Sequence, residues 1–287
     1  MNKKEGLSFT FLGQDYSFEG ADVVVIPVPF EGTVSYSLGT KFGPEEIINA
    51  SWQIESFDFE LGKEIIDDVK ICTLPSIKII SKKPEKVIDQ VYIKTKYALV
   101  NNKFPIILGG EHSITVGAIK AINEQIDNVT VIQIDAHADL REEYERSKYS
   151  HACVGKRIYD MGNKLVQIGI RSVSKEEHIL IKTNKKIFTF KTPFRLEHIN
   201  EILSKCSDNV YITIDADGFD PSIVPAVGTP VPGGLTWYDS LELFRTLFKK
   251  KNIVGFDFVE LTKSKETRSA DLAATLIYRL IGYKFVK

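Results

Sequence analysis

The chain has 287 residues, and its 37 Lys and Arg nearly balance its 38 Asp and Glu, which gives a formal net charge of −1. This balance gives no electrostatic basis for binding nucleic acid or an anionic membrane surface. No apolar run approaches the length of a membrane span, and the N-terminal sequence MNKKEGLSFTF lacks the apolar core of a signal peptide. We therefore expect a cytoplasmic protein that interacts with neither nucleic acid nor membrane.

Eight strand-like runs alternate with helical patterns along the chain. Such alternation predicts right-handed βαβ crossovers and a mainly parallel sheet covered by helices on both faces. The runs lie near 22–28, 69–73, 105–109, 129–135, 164–170, 186–190, 209–215 and 252–259. Eight strands fit one α/β domain over residues 1–287. Between the first two runs, residues 41–46 have the pattern of a turn that starts a helix, with Pro44 early in it.

The segment from Lys103 to Ile122 predicts a strand, a glycine turn and then a helix whose expected N-cap is Ser113. His112 stands where this strand ends. A single histidine at such a point is more often a core or surface side chain than a metal ligand. However, His137 and His151 also follow strand-like runs, and histidine is the commonest nitrogen ligand in metal sites.

The run VTVIQIDAHADL, residues 129–140, ends in Asp135, His137 and Asp139 at alternate positions. Because alternate side chains of a strand share a face, these three groups are expected to converge beyond the end of a buried strand. This spacing of carboxylate and imidazole groups indicates a metal site.

A second run, NVYITIDADGFDP at residues 209–221, ends in Asp215 and Asp217. A purely structural interpretation is open, because Asp is common where strands turn into loops. Two such clusters, however, would crowd several carboxylates in an apolar setting, which is costly unless cations neutralise them. The two clusters together therefore favour a site for more than one metal ion.

The remaining sequence features are architectural. Residues 228–237, GTPVPGGLTW, are rich in turn formers and are expected to form an ordered loop over the site. His178 and His198 lie in polar helical stretches and are expected to be solvated. A last helix is expected over 267–282. The chain has three cysteines, Cys72, Cys153 and Cys206, and they lack the paired spacing of a metal site. They are expected to be free thiols, and Cys153 is expected to be a packing residue rather than a nucleophile.

The ordered motifs GGEHS, IDAHADL, SHACVGKR, TIDADGFDPSIVPAVGTPVPGGLT and the pair Val259-Glu260 resemble those of the ureohydrolase family, which includes arginases and agmatinases. The resemblance spans nearly the whole chain and is closest to agmatinase. One departure is Glu111, where many members have Asp, at a position that is not a metal ligand. The resemblance implies a three-layer α/β/α sandwich with a mainly parallel eight-stranded sheet.

The family resemblance also implies two Mn²⁺ ions per chain. One ion would be held by His112, Asp135, Asp139 and Asp215, and the other by Asp135, His137, Asp215 and Asp217. Asp135 and Asp215 would then bridge the two ions, and a water between them would lose a proton near neutral pH. Carboxylate and imidazole ligands favour Mn²⁺, although Zn²⁺, Co²⁺ or Ni²⁺ would compete on affinity alone.

Three residues are expected to act on the substrate. The resemblance places the guanidinium-binding carboxylate at Glu260, whose alternative is a surface Glu that caps a loop. Asp139 would pass a proton to the departing nitrogen, and His151 would exchange protons with solvent and contact the substrate. The expected products are urea and an amine. A competing class is a non-catalytic, metal-stabilised binding or scaffold protein.

The resemblance implies a small guanidino compound as the substrate, and the sequence of the loop 140–146 favours some members of this class over others. Its sequence LREEYER offers carboxylates and a tyrosine for an ammonium tail, which favours agmatine. An inward-turned Arg would instead favour guanidinobutyrate, while aminopropylagmatine and arginine stay open as alternatives. The resemblance further implies a homo-oligomer, a trimer or a hexamer.

Overall fold

The computed structural model of the chain describes residues 9–286. Its strands are β1 (Val23–Val28), β2 (Phe57–Asp58), β3 (Lys63–Glu64), β4 (Ile71–Thr73), β5 (Phe104–Gly109), β6 (Val129–Ile134), β7 (Lys164–Ile170), β8 (Ile187–Lys191), β9 (Asn209–Asp215) and β10 (Asn252–Val259). Its α-helices are α1 (Gly43–Ser51), α2 (Ile65–Asp68), α3 (Pro84–Val100), α4 (Thr115–Gln125), α5 (Val154–Asp160), α6 (Lys175–Thr183), α7 (His198–Lys205), α8 (Trp237–Lys250) and α9 (Arg268–Phe285).

Eight of these strands form one parallel sheet in the order β4-β1-β5-β10-β9-β6-β7-β8. They correspond to the eight predicted runs, so the predicted fold class is confirmed. Strands β5, β10, β9 and β6 lie side by side at the centre. In parallel sheets, ligands bind beyond the carboxyl ends of the strands, which makes the ends of these four strands the expected position of a site.

Both faces of the sheet are covered, which explains why the central strands are apolar runs rather than alternating ones. All six residues of β6 are buried. Ile132 and Ile134 pack into a cluster that includes Ile277 of α9, whereas Val131 packs into a second cluster with Ile119 of α4 on the other face. The sheet therefore lies between two helical layers.

Some local features differ from the sequence expectation. The antiparallel pair of β2 and β3 was not predicted, because strands of two residues are too short to show a period. The helix expected at 41–46 is α1, with Pro44 at its start, and the last helix α9 extends to Phe285. The three cysteines are free, as predicted, and all three are buried. Within residues 9–286, no helix combines the length and the apolar composition that a membrane span requires.

The loop after β1 and the loop after β5 are in close contact beside the site. Gly110 follows β5, and a Cβ at this position would lie 1.9 Å from the carbonyl oxygen of Phe30. Only glycine lets the two backbones approach so closely. The Glu111 N–H then donates to the Phe30 carbonyl at 2.9 Å, which holds the loop after β1 against the loop after β5.

Candidate metal centre and active-site pocket

The structure brings all eight predicted site residues to the carboxyl edge of the four central strands. Seven of them line one pocket of about 280 Å³: His112, His137, Asp139, His151, Asp215, Asp217 and Glu260. The eighth, Asp135, is fully buried beneath it. The site therefore has a floor built by residues at or just beyond the ends of β5, β6 and β9, with Glu260, which follows β10, above it.

The first group on this floor surrounds His112. Its Nδ1 atom lies 3.3 Å from Asp135 Oδ2, 3.4 Å from Asp139 Oδ2 and 3.2 Å from Asp215 Oδ2. All four side chains are buried, and among the described residues this Nδ1 has no hydrogen-bond partner. A buried, unpartnered imidazole nitrogen facing three carboxylates is costly without a cation and fits a metal ion.

The second group surrounds His137. Its Nδ1 atom lies 3.0 Å from Asp217 Oδ2 and 3.7 Å from Asp135 Oδ1. The ligand atoms of His137, Asp135 and Asp217 lie within 4.8 Å of one another, as do those of His112, Asp135 and Asp139. Asp135 thus presents one oxygen to each group. Its place between the groups suits a carboxylate that bridges two cations.

Asp215 shares with Asp135 an Oδ2 that faces His112 and an Oδ1 that accepts a backbone N–H, from Asp217 at 2.8 Å and from His137 at 2.6 Å respectively. The two differ in that Asp135 Oδ1 also lies 3.7 Å from the Nδ1 atom of His137. The geometry therefore associates Asp215 with the first group. Its predicted role as a second bridge stays a prediction.

The carboxylates are crowded enough to perturb their proton affinities. Burial, followed by the charge of Asp135, raises the pKa of Asp139 to about 6, and burial with the charges of Asp217 and Asp135 raises that of Asp215 well above its ordinary range. Burial lowers the pKa of His137, but the hydrogen bond and charge of Asp217 outweigh this and raise it to about 10. Without a cation, the cluster therefore retains protons, which a bound metal would displace.

A second layer of polar residues orients His112. The His112 Nε2 atom lies 2.9 Å from Thr213 Oγ1, and that hydroxyl donates to Asp257 Oδ1 at 2.5 Å. Asp257 is fully buried in β10 and also accepts from Tyr211 and Thr115. Because the Thr213 proton is given to Asp257, Nε2 of His112 is the N–H donor, which leaves Nδ1 free for a metal. The sequence interpretation missed this chain, although an Asp inside the apolar run IVGFDFV signals a buried polar network.

Glu260 stands above the floor, directly after β10. Its Oε1 accepts the backbone N–H of His112 at 2.7 Å, which fixes the carboxylate toward the pocket. Burial and the charge of Glu111 raise the pKa of Glu260 to about 8. Glu260 and Asp139 both have positive φ, 63° and 52°. Such backbone is rare for residues with side chains and clusters at functional sites.

The loop over residues 228–237 borders the pocket, as the sequence predicts, through Gly228 and Thr229. The Thr229 hydroxyl donates to Asp217 Oδ2 at 3.2 Å. Arg171 secures the loop, because its guanidinium donates to the carbonyl oxygens of Val231 at 2.6 Å and Asp217 at 2.7 Å. Arg171 was missed by the sequence interpretation, since its partners are backbone atoms distant in the sequence.

The rim of the pocket, which includes Tyr36, Arg141 and Tyr144, only partly matches the expectation for the loop 140–146. Tyr144 and Arg141 line the pocket, and the Arg141 guanidinium stacks over the Tyr144 ring at 5.2 Å. The expected carboxylates do not line it, and Glu142 instead pairs with Lys156 at 2.9 Å and Arg157 at 3.2 Å. The expectation of acidic groups from this loop at the pocket is therefore wrong, and for Glu142 the ion pairs with the neighbouring helix explain why.

Two smaller expectations are also corrected. Ser113 is not the N-cap of α4, because residues 112–114 form a 3₁₀ turn and the Ser113 hydroxyl donates to Glu111. His178 is exposed as expected, but His198 is half-buried against the rings of Phe190 and Phe194.

Comparison with known proteins agrees with this geometry. The sequence matches the Arginase family over residues 21–282. It is 39% identical over 277 residues to an N(1)-aminopropylagmatine ureohydrolase of Synechocystis sp., covering 93% of this chain and 90% of the relative. It is 34% identical over 268 residues to an agmatinase of Pyrococcus horikoshii, covering 91% and 92%.

A solved structure, the agmatine ureohydrolase of Thermoplasma volcanium, superposes with a TM-score of 0.84 at 36% identity over 94% of this chain and 92% of that one. The family match covers most of the sequence, including every residue of the floor of the pocket. The chain therefore belongs to the arginase family and is an agmatinase-like ureohydrolase.

Proposed function

We propose that the protein hydrolyses a small guanidino compound to urea and an amine, with two Mn²⁺ ions held on the floor of the pocket. The observation that carries this proposal is the pair of Asp/His groups that share Asp135 beneath Glu260 and are buried apart from the half-buried His137. A binding or scaffold protein would require the metal ligands but not a fixed carboxylate facing the pocket above them.

The choice of Mn²⁺ rests on the donor atoms. Both groups offer only carboxylate oxygens and one imidazole nitrogen each, and hard oxygen donors suit Mn²⁺ better than metals that prefer thiolate. When bound, the ions supply Lewis-acid activation of the water that attacks the guanidinium carbon.

The protein groups would orient the substrate and move protons. Glu260 holds the planar guanidinium by charge-assisted hydrogen bonds, and its contact with the His112 backbone keeps it in a single position. Asp139 passes the proton released by the attacking water to the departing nitrogen, so the amine leaves with it. His151, which lines the same pocket, exchanges further protons between the pocket and solvent.

The preferred substrate of this proposal is a guanidino amine, with agmatine first. The similar relatives are an agmatinase and an aminopropylagmatine ureohydrolase, and the rings of Tyr36 and Tyr144 at the rim can contact a cationic tail. Aminopropylagmatine requires the same floor and a longer tail path.

One observation favours a second candidate. Arg141 lines the pocket rim and forms no ion pair with a carboxylate among the described residues. A free guanidinium at the rim repels an ammonium tail and attracts a carboxylate. Guanidinobutyrate, whose tail carries a carboxylate, is therefore the alternative substrate.

Relative kcat/KM for agmatine, aminopropylagmatine, guanidinobutyrate and arginine, measured as urea release by the Mn²⁺-loaded protein, tests the proposal. We expect one of the two amines to be the best substrate. Guanidinobutyrate as the best substrate would select the alternative, and arginine outpacing all others would contradict both. Absence of turnover with every compound and every divalent metal would favour the scaffold function.

We also propose that the protein is a homo-oligomer, a trimer or a hexamer, on the strength of its family membership. Light scattering at working concentration tests this, and a purely monomeric species would contradict it.

A further inference from the structure

His151 is held by a residue outside the pocket. Its Nδ1 atom lies 3.1 Å from the Thr33 hydroxyl oxygen, and its backbone N–H donates to the same oxygen at 3.1 Å. The imidazole ring packs edge-on against Tyr144, with the ring centres 5.8 Å apart. Thr33 therefore fixes both the backbone and one edge of the ring of His151.

The Thr33 hydroxyl is itself fixed by Glu111, a fully buried residue. That hydroxyl donates to Glu111 Oε1 at 2.9 Å, and the backbone N–H groups of Gly32 and Thr33 each donate to Oε2 at 2.6 Å. The Ser113 hydroxyl also donates to Oε1, at 2.5 Å. Four donors converge on the two oxygens of Glu111, so this side chain acts only as an acceptor.

This arrangement determines which nitrogen of His151 carries a proton. The single proton of the Thr33 hydroxyl is given to Glu111, so its oxygen can only accept from His151. A neutral imidazole has one N–H and one acceptor nitrogen, and the nitrogen that faces Thr33 must then be the N–H.

We propose that the Glu111–Thr33 pair holds neutral His151 in the Nδ1–H tautomer and so restricts its proton exchange to Nε2, the nitrogen on the opposite side of the ring. Thr33 and Glu111 are positioning residues in this account. The catalytic part of the inference rests on the proposed function, because it assumes that His151 moves protons during hydrolysis.

The competing arrangement uses Ser150. Its hydroxyl lies 3.4 Å from the same Nδ1 atom and is able to donate a proton to it. In that case Nδ1 would be the acceptor and Nε2 the N–H. The shorter distance to Thr33 and the second hydrogen bond from the His151 backbone favour the arrangement with Thr33.

The tautomer is measurable without turnover. Magic-angle-spinning ¹⁵N NMR of histidine-labelled protein loaded with diamagnetic Zn²⁺, with the His151 signals assigned by a His151→Ala sample, distinguishes the two N–H forms. We expect a protonated Nδ1 in neutral His151, and a gain of the Nε2–H form in Thr33→Val. Thr33→Ser keeps the hydroxyl and is expected to retain the wild-type tautomer. A wild-type spectrum with Nε2–H would overturn the proposal.

A double-mutant cycle tests whether Thr33 acts through His151. We expect Thr33→Val to lower kcat roughly tenfold, a part of the 10²–10⁴-fold typical of acid–base catalysis, with KM and metal content unchanged. Thr33→Ser should restore the rate. In a His151→Ala background, Thr33→Val should have no further effect on kcat. An equal loss in both backgrounds would show a merely structural role and contradict the proposal.

The two tests separate failures of different parts of the account. Wild-type protein without urea release would contradict the proposed function, yet the NMR result would still decide the tautomer. An active wild type in which Thr33→Val keeps full kcat would contradict the positioning role alone.

Discussion

The floor and the rim of the pocket are built in different ways. On the floor, Asp135 and Asp215 are buried where β6 and β9 end, and a chain through Thr213 and Asp257 supports His112. On the rim, Arg141 is exposed and belongs to an irregular loop. The floor is therefore positioned by the sheet, whereas the rim depends on the contacts of individual side chains.

This difference separates two aspects of the function. In the proposed function, the floor carries the chemistry that any guanidino substrate requires, so changes there should abolish activity with all substrates. The rim contacts only the tail, so changes there should alter the preference among substrates. The predictions below test this division, beginning with the floor.

Replacement of the shared carboxylate should have the largest effect. Asp135→Asn removes a charge that faces both groups, so we expect metal affinity to fall by more than the roughly 10–100-fold typical of outer-shell changes. Urea release should become undetectable with every substrate. Metal analysis after dialysis measures the first effect. An Asp135→Asn protein that retains two tightly held ions would contradict the shared role.

Loss of Glu260, the carboxylate proposed to bind the guanidinium group, should leave the floor intact. Glu260→Gln replaces one charge-assisted interaction, worth about 1.5–3 kcal/mol, so kcat/KM should fall roughly 10–100-fold for all substrates alike. Metal content should stay at the wild-type value. The matched control is Glu142→Gln, whose carboxylate pairs with Lys156 at the surface and should change kcat/KM less than about twofold. Similar losses in both variants would argue against a role for Glu260.

The affinity of the site for metal ions should rise with pH. Metal ligands must be deprotonated, and the metal-free site has an Asp139 pKa of about 6 and a His137 pKa of about 10. Between these values, binding should release the His137 proton, and affinity should rise with pH. Below about pH 6, protonation of Asp139 should weaken binding further.

Calorimetric titration with Mn²⁺ in buffers of different ionisation enthalpy measures this proton release. The control is the Asp135→Asn protein, in which the pH-dependent signal should be lost together with binding. An affinity that stays constant between about pH 6 and pH 9 would be incompatible with the protonated His137.

The smallest effect is expected at the rim. Arg141→Gln removes a positive charge near the substrate tail, so the ratio of kcat/KM for agmatine to that for guanidinobutyrate should rise about fivefold, equivalent to roughly 1 kcal/mol at an exposed position. Arg146→Gln is the matched control, because Arg146 is exposed in the same loop and is outside the pocket lining. A uniform loss for both substrates would place Arg141 among the residues that support the floor.

The division between floor and rim also explains which site residues the sequence predicts correctly in position. Strand periodicity and strand ends predict where the side chains of His112, Asp135 and Asp215 lie, and the structure brings these side chains together at that edge of the sheet. Thr33 was not recognised, because its partner His151 is 118 positions away and only the fold brings them together.

Local competition for hydrogen bonds accounts for the wrong expectations. Ser113 has the residue type of an N-cap, but its hydroxyl is taken by Glu111, and the helix starts later. Glu142 has the charge to bind an ammonium group, but its carboxylate forms ion pairs with Lys156 and Arg157. Residue type alone does not reveal which of several available partners a polar side chain contacts.

The most direct test of the central claim is a crystal structure of the Mn²⁺-loaded protein with anomalous diffraction data. We predict two anomalous peaks on the floor, one beside His112 and Asp139 and one beside His137 and Asp217, with an oxygen of Asp135 bound to each. A single peak, or two peaks without Asp135 between them, would contradict the shared two-metal site on which the proposed function rests.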